Sequence, residues 1–369
     1  MKFTCLSTIL KQEIEYANIF SGQKNSLSIM SNVFLEASND TLNVRTTDQK
    51  MGFSSSIGVN VILPGSTTVF CEKLLAVLKN PPETEIEISD DNGNLTIKPV
   101  DKNSFTINIK TIGAEKFPPL LSAEDSLYFS IPQRDFLDMI DKTSFAVSDD
   151  ETRFFLCGVY LEKHDSNLVM VATDGKKLAK VDRLFEQTIP DFHGAIMPVK
   201  FLAALKSVST GEGLFSLAIE EGTIFARIGE RTIYSSLITG KDYPNYDRVI
   251  PKKEKLEYRC TMKTKDLDNA LLLTSTLVES KSRKILVNVS PTGVTISGES
   301  ADGDSNRTID CSYDGPENTM KFNCSVIQIP VKKVTSEFLS ILYTSPQSAM
   351  ILTPEPESDY FFVIMPMQS

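Results

Sequence analysis

Apolar and polar residues follow two spacings along the chain, one typical of amphipathic helices and one typical of half-buried strands. Helical spacing predicts a first helix in each third of the chain, over residues 7–20, 133–147 and 264–279. It predicts a second helix midway through each third, over residues 72–80, 200–208 and 332–343. Strand-like runs fill the remainder, and the turn residues Asp91-Asn92-Gly93 and Glu221-Gly222 indicate two hairpins.

Short segments recur along the chain at a nearly constant distance. Segment 32–36 recurs at 158–162, and Thr47-Asp48-Gln49-Lys50 recurs at 173–176, both at an offset of 126 residues (158 − 32 and 173 − 47). Segment 134–136 is echoed at 265–267, and Pro198-Val199-Lys200 at 330–332, at offsets of 131 and 132. Because this period suits a whole domain, the sequence predicts three copies of one domain.

Each third is predicted to be an α+β domain of two helices and about eight strands, with the helices covering one face of the sheets. The predicted domains are residues 1–126, 127–255 and 256–369. Polar, poorly packed linkers are expected at 122–125 and 252–255.

The net charge of −10 argues against nucleic-acid binding at first sight, because phosphate recognition usually shows as an excess of lysine and arginine. The local distribution of the 38 basic residues decides binding, however, and lysines recur on the predicted helices. Taken singly, such charges are typical of solvated helix faces. A closed arrangement of the domains would gather them on one surface and leave the acidic excess on sheets and loops.

No apolar run approaches the roughly 18 residues of a membrane-spanning helix, and the first residues lack the apolar core of a signal peptide. The six cysteines show no Cys-x-x-Cys spacing. They are predicted to be reduced thiols in a cytoplasmic protein.

Motifs for nucleotide or metal chemistry are incomplete. The glycine-rich phosphate motifs fail at 240–242 and at 211–213. A calcium-like segment beginning at Asp302 has Arg307 and Tyr313 where the calcium loop requires glycine and a bidentate glutamate, so a polar hairpin is expected.

Catalytic groups are equally sparse. His164 and His193 have no partner at metal-ligand spacing. The carboxylates at 149–151 could hold Mg²⁺, but such a cluster is more typical of an exposed loop. The sequence therefore predicts a protein that is not an enzyme and has no cofactor or metal.

Four ordered motifs resemble the bacterial DNA polymerase III beta subunits, the replicative sliding clamps. They are Met1-Lys2-Phe3-Thr4 and the segments 171–179, 242–251 and 363–367. The resemblance implies three clamp domains per chain and a head-to-tail homodimeric ring, with helices lining the hole and antiparallel sheets outside.

The resemblance also implies partners. The ring would encircle duplex DNA without sequence specificity and act as a processivity factor. It would tether the replicative polymerase alpha subunit, the clamp loader, and other polymerases and repair proteins through a short clamp-binding motif, and no membrane is implied.

Site residues follow from matching positions in the family. The implied partner-peptide pocket comprises Leu156, Thr173, Gly175, Lys176, Lys177, Leu178, Pro244, Arg248, Val249, Val363, Met365, Pro366 and Met367. The implied DNA contacts are Lys24, Lys73, Arg153, Phe154, Phe155 and Lys200. The implied dimer interface joins a first-domain edge strand to a third-domain helix through Phe105, Ile107, Thr276 and Leu277.

The chain departs from the family pattern at several of these positions. Phe154 and Phe155 stand where tyrosines are common, and Lys176-Lys177 replaces a His-Arg pair. The chain ends in Gln368-Ser369, without the usual terminal arginine and aliphatic residue, and Thr276 is more polar than expected. A different pocket affinity or partner motif, and a weaker dimer, are therefore expected.

Other interpretations of the same residues exist. Without the resemblance, Met365 and Met367 would be core residues of a terminal strand, and the turn at 173–175 a plain hairpin. The alternatives for the whole chain are a nucleotide-dependent enzyme on a duplicated scaffold, which lacks the phosphate motifs, and an interaction scaffold that never meets DNA.

Overall fold

The computed structural model describes residues 1–22, 28–80, 83–101 and 105–367. The first third contains β1 (Lys2–Leu6), α1 (Ser7–Phe20), β2 (Asn32–Ser38), β3 (Thr41–Thr47), β4 (Met51–Gly58), β5 (Asn60–Leu63), β6 (Gly65–Phe70), α2 (Cys71–Leu78), β7 (Glu85–Asp91), β8 (Asn94–Pro99) and β9 (Ile107–Ile112).

The other two thirds repeat this order of elements, except that the middle third has four strands between its helices where the first and last have five. The middle third contains β10 (Phe129–Pro132), α3 (Gln133–Thr143), β11 (Gly158–His164), β12 (Asn167–Thr173), β13 (Lys177–Leu184), β14 (Ala195–Pro198), α4 (Val199–Val208), β15 (Leu214–Glu220), β16 (Thr223–Ile228) and β17 (Arg231–Ser236). The last third contains β18 (Tyr258–Lys263), α5 (Thr264–Thr274), β19 (Lys284–Ser290), β20 (Gly293–Ser300), β21 (Gly303–Ile309), β22 (Cys311–Ser312), β23 (Asn318–Asn323), α6 (Cys324–Lys333), β24 (Phe338–Tyr343), β25 (Met350–Glu355) and β26 (Tyr360–Ile364).

The chain divides into two compact units, and each contains sheets that run from one third of the chain into the next. Met1–Arg134 with Lys200–Leu237 forms the first unit, and Asp135–Val199 with Ile238–Ser369 forms the second. The first unit holds a 13-stranded sheet in the order β10-β15-β16-β17-β4-β3-β2-β6-β9-β8-β7-β1-β5. The second holds a nine-stranded sheet, β14-β11-β12-β13-β26-β25-β24-β18-β22, and a four-stranded sheet, β21-β20-β19-β23.

Helices pack on these sheets through buried apolar faces, as the predicted α+β class requires. α1 packs on β3 and β4, with Leu10, Ile14 and Ala17 buried. α5 packs on β20 and β21, with Leu267 and Leu271 buried. The antiparallel register of every strand pair confirms the predicted fold class.

The first helix of each third begins with the same backbone contact. In each case the amide of the first helical residue donates to a carbonyl just before or at the start of a later strand. The pairs are Ser7 to Thr84 at 3.0 Å, Gln133 to Gly213 at 2.9 Å and Thr264 to Glu337 at 2.9 Å. Positions 7, 133 and 264 are therefore structurally equivalent, and the predicted starts of the first helices are confirmed. The α-helices α3 and α5 end at Thr143 and Thr274, before the predicted ends at 147 and 279.

The third of the second-helix predictions, over residues 332–343, is wrong. The helix is α6, which starts at Cys324, and half of the predicted span, residues 338–343, is strand β24. The prolines of the echoed segments 198–200 and 330–332 lie in different elements. Pro198 does end β14 just before α4, whereas Pro330 lies buried inside α6.

Turn predictions agree with the structure. Asn92 and Gly93 join β7 to β8 with φ of +50° and +77°, the left-handed conformation that such a two-residue turn needs. Residues 221–222 join β15 to β16. The calcium-like segment is a hairpin between β20 and β21, as expected.

The linker at 122–125 is better packed than its polar composition suggested. Ala123 is buried against Ala218, Phe225 and Tyr234. Apolar contacts thus fasten this segment to the strands of the first unit.

Candidate peptide-binding pocket and nucleic-acid-facing residues

One hydrogen-bonded turn occurs twice, at the two copies of the Thr-Asp motif. Thr173 Oγ1 donates to the carbonyl of Lys177 at 2.7 Å, and Asp174 Oδ1 accepts the amides of Lys176 and Lys177 at 2.8 and 2.9 Å. Gly175 occupies the left-handed region with φ of +88°. The turn at 47–51 has the same bonds, with Gln49 at φ of +74°. The motif therefore has a structural role in both domains.

The turn at 173–177 forms one wall of a cavity of about 340 Å³ in the second unit. Ten of the thirteen residues expected in the pocket line it: Leu156, Thr173, Gly175, Lys176, Lys177, Leu178, Pro244, Val249, Val363 and Met365. Arg248, Pro366 and Met367 do not line it. Arg248 is exposed nearby on the 3-10 turn Tyr246–Arg248, and Pro366 is buried.

The floor of the cavity belongs to the hydrophobic core. Leu178 and Val363 are directly opposite each other in β13 and β26, and both pack in one cluster with Val169, Val171 and Tyr246. Because these side chains are locked by strand pairing, the floor is rigid. The upper edge is apolar and open, since Met365 and Val249 are 39% and 55% exposed.

Three lining residues were missed from the sequence: Asn245, Tyr246 and Ala349. Tyr246 lies within the motif at 242–251, so the sequence marks its position, but the sequence does not show that its side chain is buried. Its hydroxyl donates to Glu162, and Lys180 Nζ lies 5.3 Å from its ring centroid. Burial, followed by the Glu162 carboxylate, raises the pKa of Tyr246 and keeps the hydroxyl protonated. No sequence signal marked Ala349.

The two lysines at the rim differ in availability. Lys177 Nζ pairs with Asp174 at 2.5 Å and is largely buried, whereas Lys176 is exposed. Burial alone would raise the pKa of Asp174, but hydrogen bonds from Lys177 and Lys176 outweigh it and hold the pKa below its usual value. The described residues that line the cavity include no carboxylate, imidazole or thiol, so they offer an apolar slot with one free cation at its edge.

The expected DNA contacts in the first unit are exposed. Lys73 lies on α2 and Lys200 on α4. Lys200 Nζ pairs with Asp48 Oδ2 at 2.7 Å, so an acid of the repeated turn partly neutralises it. Lys24 lies outside the described residues.

The expected DNA contacts in the second unit form one exposed turn, the 3-10 segment Glu151–Leu156. Asp150 caps this segment and accepts from Arg153 Nε at 3.0 Å. Phe154 is 41% exposed, and Lys241 Nζ lies 4.2 Å from the ring centroid of Phe155. Phe154 thus presents stacking surface, while Phe155 is covered by a cation.

Not every helix lysine is available to a ligand. Lys142 on α3 is buried, pairs with Asp138 at 2.8 Å and lies over the ring of Tyr360. Lys333 pairs with Asp141 at 2.9 Å. These two cations join parts of the second unit to each other.

The expected dimer-interface residues lie at exposed edges. Ile107 begins β9, which pairs with β8 along 107–110, and half-buried Phe105 precedes it. Thr276 and Leu277 lie in the 3-10 turn Ser275–Leu277 after α5. Leu273 on α5 is 54% exposed.

Other classes of site are not found in the described part of the chain. No group of three or more histidine, cysteine, aspartate or glutamate side chains there is arranged to hold a metal ion. None of the helices formed by those residues has the length and apolar character to cross a membrane.

Comparison with known proteins gives consistent matches over the whole chain. Family models of the DNA polymerase III beta subunit match with the N-terminal domain at 1–122, the central domain at 130–245 and the C-terminal domain at 247–368. The beta sliding clamp of Treponema pallidum is 35% identical over 374 residues, and that of Escherichia coli K12 is 25% identical, with full coverage of both chains in each case. A crystal structure of the Pseudomonas aeruginosa sliding clamp bound to griselimycin matches with a TM-score of 0.93 at 25% identity, covering 100% of each chain.

Proposed function

Because the chain belongs to the family of bacterial DNA polymerase III beta subunits, which are non-catalytic processivity factors, we propose that two copies close into a ring around duplex DNA and tether a polymerase. The domains of this ring are residues 1–126, 127–255 and 256–369 of each copy. The observation that carries the proposal is a type of strand pairing between thirds of the chain. It occurs twice within the chain, and the strands for a third pairing of this type are unpaired on one side among the described residues.

This pairing joins the last strand of one third to an inner strand of the preceding third. In the first unit β17 pairs with β4, with Arg231 opposite Ser55. In the second unit β26 pairs with β13, with Tyr360 opposite Val181. The amide after each ladder donates in the same way, Ser236 to the carbonyl of Lys50 at 2.7 Å and Met365 to that of Lys176 at 2.9 Å. Positions 55 and 181 are again 126 residues apart (181 − 55).

The remaining strands of this type are β21 and β9. β21 starts 126 residues after β13 (303 − 177). Thr111 in β9 donates its amide to Gly93 at 3.0 Å, as Leu237 after β17 does to Gly222 at 2.8 Å, so β9 corresponds to β17. Among the described residues β21 pairs with β20 alone, and residues 107–110 of β9 pair with β8 alone. Each strand therefore leaves one row of backbone groups open for pairing.

A second copy satisfies both open edges at once. β21 of one copy pairs with β9 of the other, with Ser305 opposite Ile107 and Arg307 opposite Phe105, and the reciprocal pairing closes the ring. In the second unit the ring centroids of Phe145 and Phe362 lie 5.5 Å apart. These two residues are at the positions equivalent to Thr276 and Ile107. The smaller pair Thr276 and Ile107, with Leu277 beside it, gives this junction less apolar contact.

The cavity in the second unit supports partner binding. Its apolar floor and adaptable methionine edge suit a short extended segment of a partner. We propose that Leu156, Thr173, Gly175, Lys176, Lys177, Leu178, Pro244, Val249, Val363 and Met365 contact this segment directly, with Arg248, Pro366 and Met367 supporting the rim. The partners are the polymerase alpha subunit, the clamp loader and other polymerases or repair proteins that carry such a motif.

DNA contact requires no base-reading groups. Lys24, Lys73, Arg153 and Lys200 would meet phosphates, and Phe154 and Phe155 offer aromatic surface. Contacts of this type are weak, mobile and salt-sensitive, which allows sliding. Topological linkage then supplies persistence on DNA, and the tethered polymerase gains effective concentration at its template.

Retention on DNA of different topology tests the proposal. The protein is assembled by its clamp loader and ATP on nicked circular DNA, and retention in high salt is measured before and after linearisation. We expect retention on the circle and loss from free ends, and we expect Ile107→Asp to abolish retention. Equal release from circular and linear DNA would refute encirclement.

A further inference from the structure

The floor of the apolar slot in the second unit is a strand pairing that has an equivalent in the first unit. In the second unit Leu178 in β13 is opposite Val363 in β26, and both residues line the slot. In the first unit Gly52 in β4 is opposite Tyr234 in β17. Position 52 precedes position 178 by the repeat of 126 residues (178 − 52). Gly52 and Tyr234 therefore stand at the positions of the two floor residues.

The side chain of Tyr234 crosses this equivalent site. Gly52 has no side chain, and a Cβ atom there would collide with the ring and the hydroxyl of Tyr234. The tyrosine hydroxyl lies 3.1 Å from Thr47 Oγ1. Because Thr47 donates its own hydroxyl proton to the carbonyl of Met51, Tyr234 is the donor in this hydrogen bond. Thr47 corresponds to Thr173, which lines the slot, so the ring covers the floor position and reaches the equivalent of a wall.

The rims of the two sites differ in the same sense. Ala123 corresponds to Val249 at the same repeat (249 − 123). Val249 is 55% exposed at the edge of the slot, whereas Ala123 is 9% exposed and packs in one cluster with Phe225 and Tyr234. Tyr234 itself is 4% exposed. The apolar surface that is open to a ligand in the second unit is therefore covered by the protein's own side chains in the first.

We propose that Tyr234 fills the equivalent site in the first unit and closes it to partner segments, which confines partner binding to the second unit. This inference rests on the partner binding proposed above for the slot. The ring supplies the apolar surface, and the hydroxyl supplies the polar contact, that a bound ligand would otherwise supply. Tyr234 is thus a specificity-determining residue, because it decides which of two equivalent junctions binds a partner.

Exchange of the floor residues between the two units tests this role. The probe is a synthetic peptide that carries the clamp-binding segment of the polymerase alpha subunit, and calorimetry gives its affinity and the number bound per chain. The variant L178G/V363Y gives the second unit the floor residues of the first. We expect it to bind the peptide at least about tenfold more weakly than wild type, because the new ring fills the slot.

The reverse exchange produces a gain of binding, which misfolding cannot mimic. G52L/Y234V gives the first unit the floor residues of the second. Added to L178G/V363Y, it should restore binding of one peptide per chain, within about tenfold of the wild-type affinity. The matched control adds Y234F to L178G/V363Y instead; it keeps the ring in the first unit and should restore no binding.

Two results would overturn the role of Tyr234 and leave the proposed function intact. One is wild-type affinity in L178G/V363Y, and the other is a four-site variant that unfolds cooperatively in urea yet binds no peptide. If the four-site variant does not fold, Y234A alone decides: the number of peptides bound per chain should rise above one, and a value that stays at one contradicts the inference. A wild-type chain that binds no clamp-binding peptide would instead contradict the partner binding proposed above.

Discussion

Replacing Asp48 by asparagine should strengthen DNA binding. Asp48 has two separable tasks: Oδ1 accepts the amides of Lys50 and Met51, while Oδ2 pairs with Lys200 at 2.7 Å. Asparagine keeps an oxygen that can accept the two amides, so the turn is preserved. It removes the negative charge that competes with phosphate for Lys200.

The size of the effect follows from the exposure of the pair. The Lys200 side chain is 58% exposed, so the ion pair contributes about 0.2–1 kcal/mol. Release of that competition should raise the affinity for duplex DNA by up to about fivefold at low salt. The plot of log affinity against log salt should become steeper by up to about 0.9 if Lys200 gains one phosphate contact.

Fluorescence anisotropy with a short linear duplex, titrated at several salt concentrations, measures both quantities. The matched control is D174N, which makes the same change in the repeated turn of the second unit, where the acid pairs with Lys177. We expect D174N to bind DNA as wild type and K200A to bind more weakly. If D48N binds no more tightly than D174N, Lys200 does not contact phosphate.

Three further outcomes are expected. M365A should weaken binding of a clamp-binding peptide about threefold to tenfold in calorimetry, since it removes the exposed edge of the slot and not its buried floor. R231M should lower the free energy of unfolding by about 3–5 kcal/mol in urea, because it leaves Glu13 buried without its cation. Stability should fall below about pH 4. Burial alone would raise the pKa of Asp359, but the hydrogen bond from Arg183 Nε and its charge hold the pKa below its usual value, so the stabilisation is present above the usual pKa and is lost as acid protonates the carboxylate.

Matched variants identify each cause. L214A changes an exposed leucine that does not line the slot, so it should leave peptide affinity unchanged, and an equal loss would point to instability. R134M removes an exposed arginine, and a destabilisation as large as that of R231M would show that burial is not the cause. D359N should flatten the acid limb of thermal unfolding, whereas D191N, at an exposed ion pair, should not. An unchanged limb in D359N would contradict the linkage.

The sequence predicted elements whose signals are local. Residue types at helical spacing determined α1, α3 and α5, and turn residues determined the hairpins at 91–93 and 221–222. It misplaced α6, because the apolar run at 338–343 suits a buried helix as well as a strand paired on both sides. Periodicity cannot separate the two in short apolar runs.

The lining residues of the cavity that belong to family motifs could be predicted from the sequence. Lining residues whose place depends on burial, such as Tyr246, could not. The buried Tyr246 donates its hydroxyl to Glu162, which is distant in sequence, so no local pattern predicts this hydrogen bond. Ion pairing was equally hidden. Lys200 and Lys142 look alike in sequence, yet one is exposed beside an acid and the other is buried under an aromatic ring.

The sheets that pass from one third of the chain into the next have a mechanical consequence. β17 is hydrogen-bonded to β4, and β26 to β13. These strand pairings hold neighbouring thirds of the chain together, so their association depends little on the covalent connections between them. A protease that nicks the chain at exposed Leu121 would yield fragments that still migrate as one species under native conditions. Coexpressed halves divided there should likewise reassemble.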